Sequence, residues 1–204
     1  MSVTTSTIAD LGRRAKAAAP ALARATTEQK NVALRAAADR LLVDAGKIIE
    51  GNELGLVRGE IDGISANLLD RLRLDGSRLE GMATGLRQVA DLPDPVGEVT
   101  DAWDRPNGLR ISKVRVPLGV VAIIYEMRPN VTSDAFGLCL KSGNVAFLRG
   151  SSAALESNRA IAASIRSAVE ANGLPADALV LVEDVSRESA VEFMRLRDSI
   201  DFLI

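Results

Sequence analysis

The sequence lacks histidine and contains a single cysteine, Cys139, among its 204 residues. Without histidine, the chain has neither the commonest general base nor a Cys–His catalytic pair of its own. One cysteine excludes an intrachain disulfide and a thiolate zinc site. Cys139 lies between apolar residues of a helical segment, which favours a buried structural thiol over an activated nucleophile. We therefore predict no metal site within this chain and no catalytic role for Cys139.

Aromatic residues make up only 3% of the chain, and the net charge is −2. A base-stacking platform or a basic surface for nucleic acid is therefore not expected. The longest strongly apolar run, Val116–Tyr125, is about half as long as the roughly 20 residues that a membrane-spanning helix needs. The N-terminus carries no recognisable secretory signal. These absences predict a cytoplasmic protein that binds neither nucleic acid nor membrane.

The first part of the chain, residues 1–95, carries apolar stripes at helical spacing and is predicted to be a helical lead. Thr26 and Gln29 have the form of a capping box, and Asp75 precedes another stripe as an N-cap. Gly51–Asn52 is predicted to end the helical run that follows Thr26. These stripes indicate core packing and suggest no catalysis.

Residues 96–117 are predicted to form a β-hairpin arm, because Asn107–Gly108 is a strong hairpin signal. The parity of the apolar residues changes along the second arm, which indicates a bulge or a change of environment. Such a hairpin is not stable alone and is expected to lie against another element or subunit, with Trp103 as its packing anchor.

From Pro117 onward, apolar runs alternate with helix-length segments, which is typical of a parallel sheet buried on both faces. Residues 118–204 are predicted to form a Rossmann-like βαβαβαβ part. The fold class is therefore α/β, with N-terminal helices, a β-hairpin arm and a parallel βαβ sheet. The predicted strands are Val120–Tyr125, Val145–Leu148, Leu179–Val182 and Ser199–Ile204. Because the sequence stops on an apolar strand, we expect it to be a fragment of a longer protein.

Ligands of parallel sheets bind outside the carboxyl ends of the strands. Arg149 lies at one such end, with Gly150–Ser152 leading into the next helix, and this combination suits a phosphate group. A surface arginine beside helix-capping serines explains the same residues equally well. At the other end, Tyr125–Asn130 is slightly better explained by loop solvation than by ligand contacts. Neither a GxGxxG nor a P-loop fingerprint is present.

Several strings nevertheless resemble those of the aldehyde dehydrogenase superfamily, and in detail its gamma-glutamyl phosphate reductase family. The resemblance extends from about residue 10 to the end of the chain. The most specific strings are Tyr125-Glu126-Met127-Arg128-Pro129-Asn130-Val131-Thr132 and Leu138-Cys139-Leu140-Lys141-Ser142-Gly143-Asn144, and others are Asp70-Arg71-Leu72, Asn107-Gly108-Leu109 and Leu148-Arg149-Gly150.

The resemblance implies NADPH-dependent reduction of L-glutamyl 5-phosphate to L-glutamate 5-semialdehyde in proline biosynthesis. It implies that Arg149 contacts the adenosine ribose and its 2′-phosphate. Ser152 stands where NAD-preferring relatives often carry a glutamate, which favours NADP. Arg128 and Asn130 are candidate substrate residues, whereas Met127 departs from the family pattern at the oxyanion-hole position. The cofactor-binding candidates are Ile124, Tyr125, Glu126, Arg149, Gly150, Ser151 and Ser152.

The resemblance also implies that the nucleophilic cysteine lies in a catalytic domain beyond Ile204, so this chain alone is expected to be inactive. The hairpin at residues 96–117 resembles an oligomerisation arm, and a homo-oligomer is expected. The glutamate 5-kinase that makes the substrate is a candidate partner. Two alternatives stay open, namely another acylating aldehyde dehydrogenase and a non-catalytic assembly module.

Overall fold

The computed structural model describes residues 7–204, and the first half of this range is helical. Thr7 with Asp10 and Thr26 with Gln29 form capping boxes at the first two helices. The Asp75 side chain accepts a hydrogen bond from the Arg78 amide at the fifth helix. The caps predicted at Thr26 and Asp75 are confirmed. The helices are α1 (Ile8–Ala23), α2 (Thr27–Val43), α3 (Ala45–Ile61), α4 (Ala66–Leu72) and α5 (Gly76–Asp91).

The strands β1 (Val99–Asp104) and β2 (Arg110–Val114) form the predicted antiparallel hairpin. Gly108 adopts a φ of +86° in its turn, a conformation that favours glycine. The register shifts between Val99 and Asp101, so the bulge lies in the first strand and not in the second. Every residue of both strands is exposed, which leaves this hairpin as a projecting arm.

The second half of the chain builds a parallel four-stranded sheet in the order β5-β4-β3-β6. This arrangement confirms the predicted α/β fold class. The last strand is shorter than predicted because the amides of Ser199 and Ile200 both bond to the Leu196 carbonyl in a turn. The elements are β3 (Val120–Ile124), α6 (Asn130–Lys141), β4 (Val145–Arg149), α7 (Leu155–Ala171), a 3₁₀ turn (Ala176–Ala178), β5 (Leu179–Leu181), α8 (Arg187–Met194) and β6 (Phe202–Leu203).

The core lies around β4, whose residues Val145–Leu148 are fully buried. Helices α1 and α6 both contact this strand. The Phe147 ring meets Phe193 of α8 edge to face, with ring centroids 4.7 Å apart. A strand buried on both faces reads as a continuous apolar run, and for this reason it was recognisable in the sequence. None of the helices in residues 7–204 is both long and apolar enough to span a membrane.

Helix α3 runs through Gly51–Asn52, so the prediction that a helix ends there is wrong. The boundary between the two helices instead lies earlier, at Asp44, which is the C-cap of α2 and the N-cap of α3. A Cβ atom on Gly55 would lie 2.5 Å from the carbonyl oxygen of Ala153. Gly51 and Gly55 therefore allow α3 to approach the turn before α7 and the first residues of α7 closely, and they do not terminate the helix.

The buried side chain of Asn52 fixes the same contact with three hydrogen bonds. Its Nδ2 donates to the Leu72 carbonyl at 2.7 Å and to Ser157 Oγ at 3.0 Å. Its Oδ1 accepts from the Leu74 amide at 2.7 Å. One side chain thus joins α3 to the first turn of α7 and to the junction of α4 and α5. We call this junction, residues 70–78, the α4–α5 corner.

Two buried lysines, one in α2 and one in α6, bind the end of α5 and the segment that follows it. Lys30 Nζ lies 2.5 Å from Asp94 Oδ2, and Lys141 Nζ donates to Asn31 Oδ1 at 2.6 Å and to the Ala90 carbonyl at 2.9 Å. Burial lowers the pKa of Lys141. Because each buried ammonium group has polar partners, its desolvation is compensated.

The substitution Gly55→Ala tests the close approach of α3 to α7. Its Cβ would meet backbone, which cannot move aside cheaply, so we expect the free energy of unfolding to fall by about 1–3 kcal/mol. Urea unfolding followed by circular dichroism measures the change. Gly46→Ala in the same helix is the matched control, because a Cβ there meets nothing within 4 Å. Equal stability of the two variants would contradict this packing.

Candidate functional site

The carboxyl ends of β3 and β4 lie side by side. Ile124 is paired with Arg149 in the strand register, and the Tyr125 amide donates to the Arg149 carbonyl at 3.1 Å. The residues predicted from the two strand ends are thereby brought to one edge of the sheet. We call this edge, formed by residues 124–126 and 149–152, the strand-end crevice.

The Tyr125 hydroxyl points into the protein and not into the strand-end crevice. It lies 2.7 Å from Thr132 Oγ1, which in turn donates to Asn158 Oδ1 at 3.1 Å. Burial raises the pKa of Tyr125 to about 12, against a smaller opposing effect of the Thr132 hydrogen bond. Tyr125 therefore anchors the end of β3 as a neutral phenol, while its neighbours Ile124 and Glu126 are exposed.

Gly150 is packed so closely that a larger residue would displace the buried Asn158 side chain. A Cβ atom there would lie 2.2 Å from Asn158 Nδ2 and 3.3 Å from Tyr125 Cζ. Three buried polar atoms around it have no hydrogen-bond partner in the part of the chain that the structure describes, namely Arg149 Nε, Ser151 Oγ and Asn158 Nδ2. Buried polar atoms are normally paired, so this cluster offers unused hydrogen-bonding capacity at the edge of the sheet.

The Arg149 side chain extends toward the start of α8. Its Nη2 donates to the Ser186 carbonyl at 2.6 Å and lies 3.4 Å from Ser189 Oγ. The exposed Asp184 carboxyl is nearby, and its pKa is lowered mainly by the Ser186 amide and to a smaller extent by the Arg149 charge. The guanidinium is thus oriented along the end of the sheet, with one carboxylate beside it.

Residues 151–154 form a turn before α7, so the helix begins later than the sequence indicated. Its first residue is Leu155, and no side chain caps it. The amides of Ala154 and Leu155 bond to the carbonyls of Ser151 and Ser152 instead. Ser152 is exposed, whereas Ser151 is partly buried. The alternative in which the two serines cap the helix is therefore excluded by the geometry.

Arg128 and Asn130, the two predicted substrate residues, lie in a separate cleft of about 410 Å³. The cleft is bounded by the α4–α5 corner, which contributes Arg71, Arg73 and Arg78. Asn130 Nδ2 donates to Asp134 Oδ2 at 2.9 Å, and burial raises the pKa of Asp134. The strand-end crevice and this cleft are connected by the segment between Tyr125 and Asn130.

The thiol of Cys139 belongs to the core, as predicted. Only 6% of its surface is exposed, and burial raises its pKa to about 12. A protonated, enclosed thiol is a poor nucleophile. Across residues 7–204 no group of three or more His, Cys, Asp or Glu side chains is arranged to hold a metal ion.

The sequence interpretation missed Thr132, Asn158 and the arginines of the α4–α5 corner. Asn158 is fully buried on the face of α7 that also carries Ile161 and Ile165, and a polar residue within that apolar stripe was the available signal. Arg71 was part of the Asp70-Arg71-Leu72 string, but nothing in the sequence connected it with Arg128.

Comparison with known proteins supports the resemblance. No family model matches the chain. The gamma-glutamyl phosphate reductase of Brucella anthropi is 50% identical over 198 residues, which are 97% of this chain and 46% of that protein. The crystal structure of the Thermotoga maritima enzyme of the same name superposes with a TM-score of 0.94 and 38% identity, over 97% of this chain and 48% of that one.

A probable aldehyde dehydrogenase from Listeria monocytogenes matches with a TM-score of 0.72 and 18% identity, covering 96% of this chain and 40% of that one, and so shares the fold. The predicted resemblance to gamma-glutamyl phosphate reductases and the aldehyde dehydrogenase-like fold are confirmed. The chain spans about half the length of the curated relatives it matches.

The burial of the Tyr125 phenol can be tested by following its ionisation, because the chain contains no other tyrosine. Tyrosinate absorbance should rise with a midpoint near pH 12, whereas an unburied tyrosine ionises near pH 10. The raised pKa contributes stability that is complete below about pH 10 and is lost as the pH rises through 12. Tyr125→Phe should remove the absorbance change, and a wild-type midpoint near 10 would contradict the buried position.

Proposed function

We propose that this chain is the cofactor-binding part of a gamma-glutamyl phosphate reductase, the family that its sequence and fold resemble over nearly its whole length. The whole protein would reduce L-glutamyl 5-phosphate to L-glutamate 5-semialdehyde with NADPH, in proline biosynthesis. The observation that carries the proposal is the strand-end crevice, where two parallel strands end beside unpaired polar atoms.

The strand-end crevice suits a dinucleotide for chemical reasons. Gly150 removes side-chain bulk at the end of β4, and Arg149 Nε and Ser151 Oγ retain hydrogen-bonding capacity for ribose or phosphate oxygens. Ile124 and Glu126 are exposed at the neighbouring strand end. When bound, NADPH supplies a hydride. The residues of this chain bind and orient the cofactor. None of the described side chains forms a covalent bond to the substrate in this proposal.

A preference for NADPH over NADH follows from the charges around Arg149. A guanidinium binds phosphate through a fixed pair of donors, and Ser152 presents a neutral hydroxyl where a carboxylate would repel a 2′-phosphate. The Asp184 carboxylate is close enough to Arg149 for the guanidinium charge to contribute to lowering the pKa of Asp184. Ser152 is exposed and neutral, so a charge introduced at this position should act directly on cofactor choice.

The remaining roles belong to the same proposal. The exposed hairpin is the homo-oligomerisation arm, with Trp103 and Ile111 paired across it. Arg128 and Asn130 contact the substrate. The nucleophilic cysteine lies in the part of the relatives' length that this chain does not span, and the protein works in the cytoplasm beside the kinase that makes its substrate.

The exposed hairpin also favours a second candidate function, a non-catalytic assembly module that associates through residues 96–117. Trp103 and Val99 are 39% and 55% exposed, respectively, which is a large apolar exposure for a projecting arm. Isothermal titration of the chain with NADPH separates the two functions. Saturable binding supports the cofactor role, and its absence in an associated, folded chain supports the assembly module.

Replacing Arg149 tests the cofactor geometry. A charge-assisted hydrogen bond contributes about 1.5–3 kcal/mol, so Arg149→Ala should weaken NADPH binding roughly 10- to 100-fold. The affinity for NADH, which lacks the 2′-phosphate, should fall much less. Isothermal titration measures both affinities. Arg195→Ala, which removes an exposed arginine at the end of α8, should leave both unchanged. Unchanged NADPH binding by Arg149→Ala would refute the role given to Arg149.

Replacing Ser152 tests the cofactor preference independently. Ser152→Glu places a carboxylate beside the proposed 2′-phosphate position, so NADPH affinity should fall about tenfold while NADH affinity is maintained. Ser152→Gln has nearly the same size without the charge and should retain the NADPH preference. If the Glu and Gln variants bind NADPH equally well, Ser152 does not face the adenosine end of the cofactor.

A further inference from the structure

The cleft beside Arg128 is lined by four arginines that come from three separate parts of the chain. Arg71 lies in the last turn of α4, Arg73 follows that helix, Arg78 lies in the first turn of α5, and Arg128 follows β3. We call this feature the arginine cleft. Like charges repel, so their convergence costs free energy unless an anion is bound among them.

One of the four arginines is structural. The Arg78 guanidinium donates to the carbonyl of Asp70, to the carbonyl of Arg73 at 2.7 Å and to the carboxylate of Asp70 at 2.9 Å. These exposed bonds hold the α4–α5 corner together at the protein surface. On the buried side, Asn52 holds the same corner through hydrogen bonds to the backbone of Leu72 and Leu74. The corner that carries Arg71 and Arg73 is therefore held in place before any ligand arrives.

The guanidinium groups of the other three arginines are free to bind a ligand. Among the described residues 7–204, the side chains of Arg71, Arg73 and Arg128 form no ion pair and no hydrogen bond, and all three are exposed. Of the two carboxylates in the cleft, Asp70 is already paired with Arg78, and Asp134 accepts a hydrogen bond from Asn130. The cleft thus has an excess of positive charge on donors that no residue of the described chain uses.

We propose that the arginine cleft is the specificity pocket for an anionic substrate, in which Arg71 and Arg73 bind a carboxylate or phosphate group of the molecule whose reacting end lies near Arg128. This inference rests on the proposed function and adds to it two substrate-binding residues from the helical half of the chain. The guanidinium fork matches the two oxygens of a carboxylate or a phosphate, which explains why arginine and not lysine occupies these positions.

The connection between the strand-end crevice and the arginine cleft supports the assignment. Exposed and partly buried side chains alternate along the segment after β3, so that Glu126 and Arg128 are exposed while Tyr125 and Met127 turn inward. Met127 packs against the small buried cluster that contains Leu56, Leu72, Ala153 and Ala154. A substrate in the cleft would therefore lie along the same short segment that borders the cofactor.

Anion titrations of the 204-residue chain test the proposal. L-glutamate supplies the carboxylate and inorganic phosphate supplies the phosphate group, and each is titrated separately by isothermal calorimetry at constant ionic strength maintained with chloride. Saturable binding of at least one of them is expected. Binding of glutamate alone identifies a carboxylate pocket, and binding of phosphate alone identifies a phosphate pocket. If neither anion binds saturably, the proposal is overturned.

Substitutions locate the binding. The double variant Arg71→Ala/Arg73→Ala should weaken it at least tenfold, and Arg73→Lys, which keeps the charge but loses the fork, should have an intermediate effect. The double variant Arg105→Ala/Arg110→Ala in the exposed hairpin removes the same two positive charges, so it is the control for net charge and should leave the binding unchanged. Circular dichroism checks that each variant is folded. Equal weakening by the hairpin double variant, or none by Arg71→Ala/Arg73→Ala, would overturn the proposal.

An NADPH titration of the same protein separates this inference from the proposed function. Anion binding that depends on Arg71 and Arg73 without any NADPH binding would refute the cofactor role and leave the pocket standing as an anion site. NADPH binding without anion binding would refute the pocket alone. The double variant should retain wild-type NADPH affinity, because neither arginine borders the strand-end crevice.

Discussion

The close contact between α3 and the start of α7 determines where both candidate binding regions lie. Gly51 and Gly55 bring α3 onto the backbone of Glu156 and Ala153, where a Cβ would lie 3.1 Å and 2.5 Å, respectively, from a carbonyl oxygen. Asn52, between them, bonds to the α4–α5 corner and to Ser157. The turn after β4 and the arginine-bearing corner are therefore attached to one helix face, and a shift of that face would move both.

The segment after β3 connects the two regions. Tyr125 anchors its beginning through Thr132 and Asn158, and Met127 anchors its middle against the small cluster around Leu72. The alternate side chains are exposed, with Glu126 between the anchors at the strand-end crevice and Arg128 after Met127 at the arginine cleft. A short segment fixed at alternate residues places its polar side chains reliably, which is what a binding site requires.

The parts of this arrangement that depend on a few adjacent residues could be predicted from the sequence. The apolar runs around Val120 and Val145, the caps at Thr26 and Asp75 and the Asn107–Gly108 turn are each specified by a few adjacent residues. Gly51–Asn52 was misjudged because its packing partner lies about a hundred residues away in the sequence. The arginine cleft was invisible for the same reason, since its members meet only after the sheet and the helical half have packed together.

Hydrogen–deuterium exchange of the chain with and without NADPH tests whether the strand-end crevice holds the cofactor, because this measurement covers every segment of the chain at once. We expect NADPH to slow exchange at the ends of β3 and β4 and in the turn through residues 149–154. We expect little change in the hairpin at residues 96–117. Protection that appears elsewhere and spares both strand ends, or no protection at saturating NADPH, would contradict this location of the cofactor.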